Sequence, residues 1–410
     1  MARILAYTSP ARGHLYPLTP ILDELRRRGH DIVLRTLAAQ VMTMRARGFD
    51  AYPIDTRIET IEHDDWRAGN QIQAIRRAVR TFCARAERDA PDLRQAITQV
   101  KPDALLVDIN CWGGLTVAEA WGGPWATYCP YPIPIRSRDT PPFGPGFAPA
   151  RGTLGRLRDR LAQPLILGAY QNTMLRPLNS LRRDLRLPAL TGVYDWFRDL
   201  PLVLYMTAEP FEYPRSDWPD NIAMVGPCDW NPDADPPPWL NEIEHPIVLV
   251  ATSSEFQNDD RLVQAALLAL ADQPFTVVAT LPAGDPDRFH VPANARVERF
   301  IPHAPLLDRA VCAITHAGMG VTQKALARGV PVCAVPFGRD QFEVARRVEV
   351  AGAGTRLAAT RLRPDRLRAR VYQAIQCRDG ARLLAAAFSA AGGPGAAADA
   401  VEKRLLEPSR

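Results

Sequence analysis

The sequence has 410 residues, of which 47% are hydrophobic and 23% are charged. This length and composition are typical of a folded enzyme of two or three domains, and they exclude a chain that is disordered throughout. The net charge is only +5 and no run of five basic residues occurs, so a nucleic acid is not an expected partner. No stretch approaches the ~20 apolar residues of a membrane span, and residues 1–7 show no signal-peptide pattern. We therefore expect a cytoplasmic protein without a membrane span.

Short apolar runs alternate with helical patterns along the first third of the chain. Strands are predicted at 3–7, 31–36, 51–54, 103–107 and 125–129. The first helix is predicted at Leu18–Arg28, because Thr19 suits an N-cap and Pro20 suits the first helical position. Another long helix is predicted over Thr153–Leu187, with a break near Pro177. This alternation is typical of a parallel, doubly wound α/β sheet.

The same alternation restarts after a proline-rich segment, so two domains of similar architecture are expected. Further strands are predicted at 246–251, 275–280, 295–300, 311–315 and 330–335. We expect an N-terminal domain at 1–227, a linker at 228–238 and a C-terminal domain at 239–397, with the terminal helix at 398–410 packed back on the first domain. Residues 130–149 are rich in proline, which predicts a long surface loop, and long loops are often functional.

A histidine and an aspartate follow two strands that should be neighbours. In the common strand order 3-2-1-4-5, the first and fourth strands lie side by side at the point where ligands bind. The loop after the first strand carries His14, and Asp108 follows the fourth strand. A carboxylate on one imidazole nitrogen allows the other nitrogen to take a proton from a hydroxyl. The two residues are a candidate catalytic dyad; the alternative is a solvated histidine and an aspartate that caps the next helix.

The second domain repeats this arrangement with residues suited to an anion. Its first strand leads into two serines, and its fourth leads into a histidine and two glycines at the start of a helix. Such a helix start exposes backbone N–H groups to an anion, and nearby hydroxyls add donors. The residues concerned are Ser253, Ser254, His316, Gly318, Gly320 and Thr322. A diphosphate cradle is the hypothesis, and glycines that only permit a tight turn are the alternative; neither a Walker loop nor a dinucleotide fingerprint occurs.

Two acidic motifs suggest different chemistry. Asp340 and Gln341 follow the fifth strand of the second half and suit hydrogen bonds to sugar hydroxyls, while the alternative for Asp340 is a helix N-cap. Asp233 and Asp235 resemble a metal-binding DxD motif, but they lie in the proline-rich linker with no strand leading into them. We attribute this second motif to composition, and we expect no metal and no cofactor.

Several of these segments together resemble a known family. Thr315–Gln341 resembles the donor-binding signature of the GT-B glycosyltransferases of the UDP-glycosyltransferase superfamily. The matching positions are His316, Gly318, Gly320, Gly329, Val330, Pro331, Pro336, Asp340 and Gln341. Arg296–Leu307 resembles the segment that frames the nucleobase, and Gly13–Leu22 resembles the acceptor-domain motif that carries the catalytic histidine. The resemblance covers nearly the whole chain and implies two Rossmann-like domains that face a cleft, with His14 and Asp108 as the dyad.

The resemblance and the positions of aromatic rings together give the expected binding residues. The expected donor contacts are Ser253, Ser254, Phe300, Ile301, Pro302, His316, Ala317, Gly318, Met319, Gly320, Val321, Thr322, Asp340 and Gln341. A hydrophobic acceptor needs apolar rings in the loops that rim the cleft. The candidates are Trp66, Trp112, Tyr131, Phe143 and Phe147. The alternative is that these rings only fix long loops to the domain surface.

Departures from the family pattern bear on the donor. Val321 replaces the usual threonine or serine, so a phosphate contact there must come from backbone N–H groups or from Thr322. Lys324 stands where plant relatives carry a glutamate that binds the ribose hydroxyls of uridine diphosphate (UDP), which favours a thymidine diphosphate (TDP) donor. Within the family, the strings LLVDINCWG, ATSSEFQ and GMGVTQKAL resemble the calicheamicin-type enediyne glycosyltransferases.

The resemblance implies an inverting, metal-independent glycosyltransferase. It would move a (deoxy)sugar from a TDP-sugar to a hydroxyl of a hydrophobic natural product such as an enediyne or polyketide antibiotic, with a homodimer left open. The alternatives are a GT-B-fold nucleotide-sugar epimerase and a non-catalytic helper of a partner glycosyltransferase. An acceptor-type His14 together with intact Asp340 and Gln341 argues against the epimerase, and the presence of both His14 and His316 argues against the helper.

Overall fold

The computed structural model describes residues 1–230, 235–255 and 257–407. The strands are β1 (Arg3–Tyr7), β2 (Asp31–Thr36), β3 (Asp50–Pro53), β4 (Ala104–Asp108), β5 (Trp125–Cys129), β6 (Val203–Tyr205), β7 (Ile222–Met224), β8 (Ile247–Ala251), β9 (Thr276–Thr280), β10 (Ala295–Glu298), β11 (Ala310–Thr315), β12 (Val332–Ala334) and β13 (Gly354–Arg356). The α-helices are α1 (Arg12–Arg27), α2 (Ala38–Ala46), α3 (Thr56–Glu59), α4 (Gln71–Val100), α5 (Trp112–Trp121), α6 (Thr153–Asp184), α7 (Val193–Arg198), α8 (Asp260–Leu270), α9 (His303–Leu307), α10 (Met319–Ala327), α11 (Gln341–Val350), α12 (Pro364–Ile375), α13 (Arg378–Ala390) and α14 (Gly393–Val401). Part of the expected linker, including Asp233 of the acidic motif, lies outside the described residues.

Parallel strands alternate with helices in both halves, as the sequence predicts. The N-terminal sheet has the order β3-β2-β1-β4-β5-β6-β7, and the C-terminal sheet has the order β10-β9-β8-β11-β12-β13. In each half the first strand pairs with the fourth, β1 with β4 and β8 with β11. The predicted class of two doubly wound parallel α/β sheets is therefore confirmed, and each sheet has its switch point where the sequence places it.

Helices cover both faces of each sheet. One face of the N-terminal sheet packs on α4 to α7, and the other packs on α1, α2 and α14. One face of the C-terminal sheet packs on α9, α10, α11 and α13, and the other packs on α8 and α12. The central strands are buried on both faces, which is why they read as continuous apolar runs such as Ile247–Ala251. In the part of the chain that the structure describes, no helix has the length and apolarity to cross a membrane.

The first helix begins earlier than predicted. α1 starts at Arg12 and continues through Pro17 and Pro20. A proline inside a helix costs about 3 kcal/mol because it removes a backbone hydrogen bond and introduces a steric clash. Burial of one large apolar side chain is worth roughly 1.5–3 kcal/mol, and five such side chains on one face of α1 outweigh the two prolines. They are Leu15, Leu18, Ile21, Leu22 and Leu25. His14 therefore lies in the first turn of a helix, and the prediction of a loop at this position is wrong.

The long helix of the N-terminal half is also more continuous than predicted. α6 extends over Thr153–Asp184 with Pro164 and Pro177 inside it, so the predicted break near Pro177 is wrong. Its buried residues Met174 and Leu178 belong to the same core as the apolar face of α4. This packing holds the helix on both sides of Pro177. α6 and α4 together form one wall of the N-terminal half.

The end of the chain returns to the N-terminal sheet. Ala398 and Val401 of α14 are buried in the cluster beneath α1. Arg28, just after α1, donates to Glu402 at 2.6 Å, and His30 Nε2 lies 2.9 Å from the same carboxylate. These contacts brace the C-terminal end of the helix whose N-terminal turn carries His14.

Candidate active site

A cavity of about 910 Å³ lies between the two sheets, where the strands of both halves end. Most of the predicted site residues line it. They are His14, Trp66, Trp112, Tyr131, Phe143, Ser253, Ser254, Phe300, Ile301, Pro302, His316, Gly318, Met319, Gly320, Val321, Asp340 and Gln341. Asp108, Phe147, Ala317 and Thr322 are not part of its wall. The topology therefore brings the residues after β1 and β4 to face those after β8 and β11.

His14 and Asp108 are in direct contact at the end of the N-terminal sheet. His14 Nδ1 lies 2.8 Å from Asp108 Oδ1, and the carboxylate is fully buried. Asp108 also accepts hydrogen bonds from the backbone N–H and hydroxyl of Ser9 at 2.9 and 2.6 Å. Burial alone would lower the pKa of His14, but the charge and the hydrogen bond of Asp108 raise it above its usual value. A carboxylate held in this way fixes the imidazole tautomer and stabilises the protonated ring.

The second nitrogen of His14 has a partner that sequence reasoning missed. Asn110 Nδ2 lies 3.1 Å from His14 Nε2. The side-chain oxygen of Asn110, Oδ1, accepts from the hydroxyl of Tyr131 at 2.9 Å. Since Nδ1 faces the carboxylate, this arrangement fits an imidazole whose Nε2 is a free base. An incoming hydroxyl must take the place of the Asn110 amide. The position of Asn110 two residues after Asp108, within the string LLVDINCWG, was the signal that could have suggested it.

An apolar wall formed by side chains of α4, α5 and α7 lines the cavity in the same half as His14. Trp112 is buried, and its ring lies 5.0 Å from that of Phe82 and 6.5 Å from that of Phe197. Phe82 and Phe197 also line the cavity, although neither was predicted. Trp66 is more exposed and lies under the guanidinium of Arg67. This half of the cavity suits a flat apolar ligand.

One of the predicted acceptor rings faces elsewhere. Phe147 lies outside the cavity wall, and the guanidinium of Arg158 stacks on its ring at 4.5 Å from the centroid. Arg158 also donates to the carbonyl of Ala148 at 2.7 Å. Phe147 therefore fixes the end of the proline-rich loop to α6, and the expectation that it contacts the acceptor is wrong.

The remainder of the loop is held by the C-terminal half. Glu343 on α11 accepts from the backbone N–H groups of Gly144 and Gly146, both at 2.8 Å. A Cβ atom at Gly146 would lie 2.3 Å from the carbonyl oxygen of Phe342, so the loop backbone is directly against the helix. Phe143 lines the cavity at this point. Helix α11 of the C-terminal half thus positions a segment of the cavity wall that belongs to the N-terminal half.

The second histidine stands at the start of α10. His316 Nδ1 lies 3.3 Å from the carbonyl oxygen of Ala251 at the end of β8. Ala317 adopts a left-handed backbone with φ of 65°, and this turn lays the His316 ring over Gly318. A Cβ atom at Gly318 would lie 2.3 Å from His316 Nε2, which explains why a glycine is needed there. The first turn of α10 follows, with the unpaired N–H groups that a helix start provides.

Two of the predicted phosphate contacts are placed differently by the structure. The Thr322 hydroxyl is fully buried and lies 3.4 Å from that of Thr315, so it cannot reach a ligand, and that expectation is wrong. Ala317 is likewise buried and outside the cavity wall. Ser253 does line the cavity, and Ser254 is exposed beside it. The sequence left two possible phosphate donors near Val321, which were the Thr322 hydroxyl and the backbone N–H groups. Since Thr322 is excluded, the backbone N–H groups remain.

The Asp340–Gln341 pair divides its roles. The side-chain oxygen of Gln341, Oε1, accepts from the backbone N–H groups of Phe337 and Gly338 at 2.8 and 3.1 Å. Asp340 occupies the N-cap position of α11, as the alternative has it, but its side chain makes no capping hydrogen bond. Burial raises the pKa of Asp340, while the charges of Arg339, His14 and His316 oppose that shift. The Asp340 carboxylate therefore lies within electrostatic reach of both histidines.

The far end of the cavity carries an exposed ring and an ion pair. Phe300 is 51% exposed at the rim, while Ile301 beside it is buried. Lys324 Nζ lies 3.0 Å from Asp229 Oδ1, and Arg328 holds the other carboxylate oxygen at 2.9 Å. The structure thus adds an acidic side chain, Asp229, to this wall, where the sequence analysis identified only Lys324. Both oxygens of that acid already face cations.

An ion-pair cluster in the cavity wall connects the N-terminal and C-terminal halves of the protein. Arg339 contacts Asp65 Oδ2 at 3.1 Å in the N-terminal half and Glu255 Oε2 at 2.8 Å in the C-terminal half. Arg339 has a left-handed backbone with φ of 53°, and Asp65 is buried. The cluster holds the two halves together beside the cavity. Within the described ranges, no group of three His, Cys, Asp or Glu side chains is arranged to hold a metal ion.

Comparisons with known proteins bear on the family and the fold of the chain. Residues 264–403 match the model of the family "Erythromycin biosynthesis protein CIII-like, C-terminal domain". The chain is 32% identical over 379 residues to the 4'-demethylrebeccamycin synthase of Lentzea aerocolonigenes, covering 88% of this chain and 89% of that protein. Among solved structures, the calicheamicin glycosyltransferase CalG4 superimposes with a TM-score of 0.75 at 23% identity, covering 100% of both chains. The glycosyltransferase SsfS6 of Streptomyces sp. SF2575, solved with thymidine diphosphate, gives a TM-score of 0.69 at 18% identity and covers 98% of this chain and 100% of its own.

Proposed function

The chain belongs to the antibiotic-tailoring glycosyltransferases of GT-B fold, and from this premise we propose that it transfers a sugar from TDP to a hydroxyl of a hydrophobic natural product, with inversion at the anomeric carbon. The observation that carries the proposal is the placement of a carboxylate-bound histidine and a helix-start histidine on opposite walls of one cavity. The first histidine, His14, suits a general base, and the second, His316, suits the binding of an anion. A transfer reaction needs both at once.

His14 is the proposed general base. Its Nε2 takes the proton of the acceptor hydroxyl as the oxygen attacks the anomeric carbon, and Asp108 stabilises the imidazolium that forms. The bond from the anomeric carbon to the diphosphate oxygen breaks as the new bond forms on the opposite face. Attack from the opposite face gives inversion. Asp340 lies within electrostatic reach of His14 and His316, and we assign it to the hydroxyls of the transferred sugar.

The leaving diphosphate is assigned to the start of α10. Backbone N–H groups at Gly320 and Val321, the His316 side chain and the Ser253 hydroxyl offer donors on that wall. Donors and a helix dipole that are fixed before the reaction stabilise negative charge as it develops. This set of donors supplies the stabilisation without a metal ion.

The choice of TDP depends on the far end of the cavity. A uridine donor carries a ribose 2′-hydroxyl that a free carboxylate would bind. Here the acid, Asp229, is paired with Lys324 at 3.0 Å and with Arg328 at 2.9 Å, so its charge is already balanced by two cations. Phe300 at the rim offers a face for base stacking. The TDP complex of SsfS6 is a property of that protein, and it makes TDP the first donor to test.

The acceptor is assigned to the apolar wall beside His14. Phe82, Trp112 and Phe197 form a continuous aromatic surface there, and Phe143 extends it from the proline-rich loop. A ligand site of this kind removes most of an apolar molecule from water. Replacing residues 131–146 with the corresponding loop of a relative should change which acceptors are glycosylated while leaving TDP affinity unchanged. A swapped protein that folds, binds TDP and keeps its acceptor profile would show that the loop only packs.

Calorimetry followed by turnover tests the whole proposal. We expect the purified protein to bind TDP more tightly than UDP, and to release TDP from TDP-sugars in the presence of a panel of polyketide and enediyne aglycones. Tighter binding of UDP would overturn the donor assignment. Turnover that gives the retained anomer, read by the anomeric proton coupling in NMR, would overturn the inverting mechanism.

A further inference from the structure

A chain of amide side chains reaches the wall of the donor site from the start of α11. Gln341 Nε2 donates to Gln257 Oε1 at 2.6 Å, and Gln257 Nε2 donates to Ser253 Oγ at 2.8 Å. All three side chains are at least nine-tenths buried. This series of hydrogen bonds ends at the hydroxyl of Ser253.

The direction of this chain is fixed at its origin. The Gln341 carbonyl oxygen accepts from the backbone N–H groups of Phe337 and Gly338, so the other end of its amide must be the donor. Gln257 then receives a hydrogen bond on its oxygen and must donate from its nitrogen. Each amide has a distinct donor and a distinct acceptor end, so neither can turn around without losing hydrogen bonds.

The Ser253 hydroxyl receives a second donor. The backbone N–H of Glu255 donates to Ser253 Oγ at 3.2 Å, in addition to the amide of Gln257. A hydroxyl has two acceptor lone pairs and one hydrogen. With both lone pairs occupied, the hydrogen is the only hydrogen-bonding capacity that Ser253 retains toward the cavity.

We propose that Gln257 is a positioning residue that makes Ser253 an obligatory hydrogen-bond donor to an anionic oxygen of the donor diphosphate, with Gln341 setting the direction of the relay. The proposal rests on the proposed function, since it concerns the same donor site. It assigns Gln341 to this relay in place of direct sugar binding through its carbonyl oxygen. A donor whose direction is fixed before binding loses no free energy to reorientation when the anion arrives.

A double-mutant cycle on TDP affinity tests the relay. We expect Ser253→Ala and Gln257→Leu each to weaken TDP binding about tenfold in calorimetry, because each variant loses a directed hydrogen bond to a charged group. In the double variant we expect no further loss beyond Ser253→Ala, because Gln257 acts only through that hydroxyl. Additive losses, or a Gln257→Leu protein that binds TDP like the parent, would overturn the proposal.

An isosteric variant keeps the test valid if Gln257→Leu fails to fold. In Gln257→Glu, an ionised carboxylate accepts the Ser253 hydrogen, so the hydroxyl then presents lone pairs to the phosphate. We expect TDP binding to fall more than tenfold at pH 8, and the deficit relative to the parent to narrow as the pH falls toward about 4.3, the ordinary pKa of a glutamate, because the introduced carboxyl group donates again once it is protonated. Plain charge repulsion predicts the same deficit when Ser253 is replaced by alanine, whereas the relay predicts a smaller one. An equal deficit in both backgrounds contradicts the relay.

Two controls separate this inference from the proposed function. Gln273→Leu removes an amide of the same half that bonds Tyr372 near the surface, and it should leave TDP affinity unchanged. Thymidine, which lacks phosphates, should bind the parent and the Gln257 variants equally. A parent protein that binds neither TDP nor UDP overturns both the proposed donor site and the relay. A parent that binds TDP with an additive cycle overturns the relay alone.

Discussion

Each half of the cavity presents a histidine at the switch point of its sheet, but His14 follows the first strand of its half and His316 follows the fourth, and the two side chains have different partners. His14 contacts the buried carboxylate of Asp108, whereas His316 contacts the backbone carbonyl of Ala251. A carboxylate stabilises the protonated ring, so His14 can accept and hold a proton. A carbonyl only orients the ring, so His316 is suited to hydrogen bonding beside the helix start. The partner, more than the position after the strand, decides what each imidazole can do.

The largest expected effect comes from removing the histidine that faces the carboxylate. We expect His14→Ala to lower the transfer rate by ~10²–10⁴-fold, the usual contribution of a general base, while TDP affinity stays at the parent value. Single-turnover kinetics and calorimetry measure the two quantities. His30→Ala is the matched control, because His30 also contacts a carboxylate, Glu402 at 2.9 Å, but at the far end of α1. Loss of TDP affinity in His14→Ala would show that this histidine binds the donor, which contradicts its assignment as the general base.

Removing only the charge of the partner should have a smaller effect and a distinct pH signature. Asp108 raises the pKa of His14, and the base must be neutral to act, so the rate of transfer falls as the pH drops through that pKa. In Asp108→Asn the pKa of His14 falls, so the acid limb of the pH–rate profile should move to lower pH. The maximal rate should fall about 10²-fold, because the imidazolium loses its counter-charge. An acid limb that stays in place would assign the titration to another group.

The histidine that faces the carbonyl should affect binding before rate. We expect His316→Ala to weaken TDP roughly 10- to 100-fold, since one hydrogen bond to a charged group is lost. The pH–rate profile should keep the acid limb of the parent, because His14 and Asp108 are untouched. His290→Ala, in the loop before β10 and away from the cavity wall, is the control. Parent-like TDP binding in His316→Ala would remove this residue from the diphosphate cradle.

The smallest expected effect is that of a metal chelator. The proposed cradle stabilises the leaving diphosphate with N–H groups, a hydroxyl and a helix dipole, so excess EDTA should leave the rate unchanged. The rate is measured before and after dialysis against the chelator. Activity that is lost and then restored by magnesium or manganese alone would show that the cradle is incomplete without an ion.

Much of the fold was readable from the sequence because it depends on local patterns. Short β-branched runs that alternate with helical stretches predict a parallel sheet, and the connection rules of such sheets leave few strand orders. That order placed Asp108 beside His14 before any coordinates, and the structure has them 2.8 Å apart. The small residues around Gly318 likewise indicated a helix start facing a ligand. In each case the signal lay within one loop and the strand before it.

The details that tune the site were decided only by the tertiary structure. Thr19 and Pro20 predicted a helix start near Leu18, but burial of one face of α1 overrode that signal and put His14 in a helical turn. Thr322 and Phe147 have suitable chemistry, yet their side chains point away from the cavity, and the sequence does not encode that direction locally. Asn110 and Gln257 lie in segments that resemble the family, but the resemblance gives them no role, because their roles depend on partners from other segments, His14 and Gln341. A sequence pattern carries the strands and the chemistry at their ends, whereas the hydrogen-bond partners between distant segments exist only once the chain has packed.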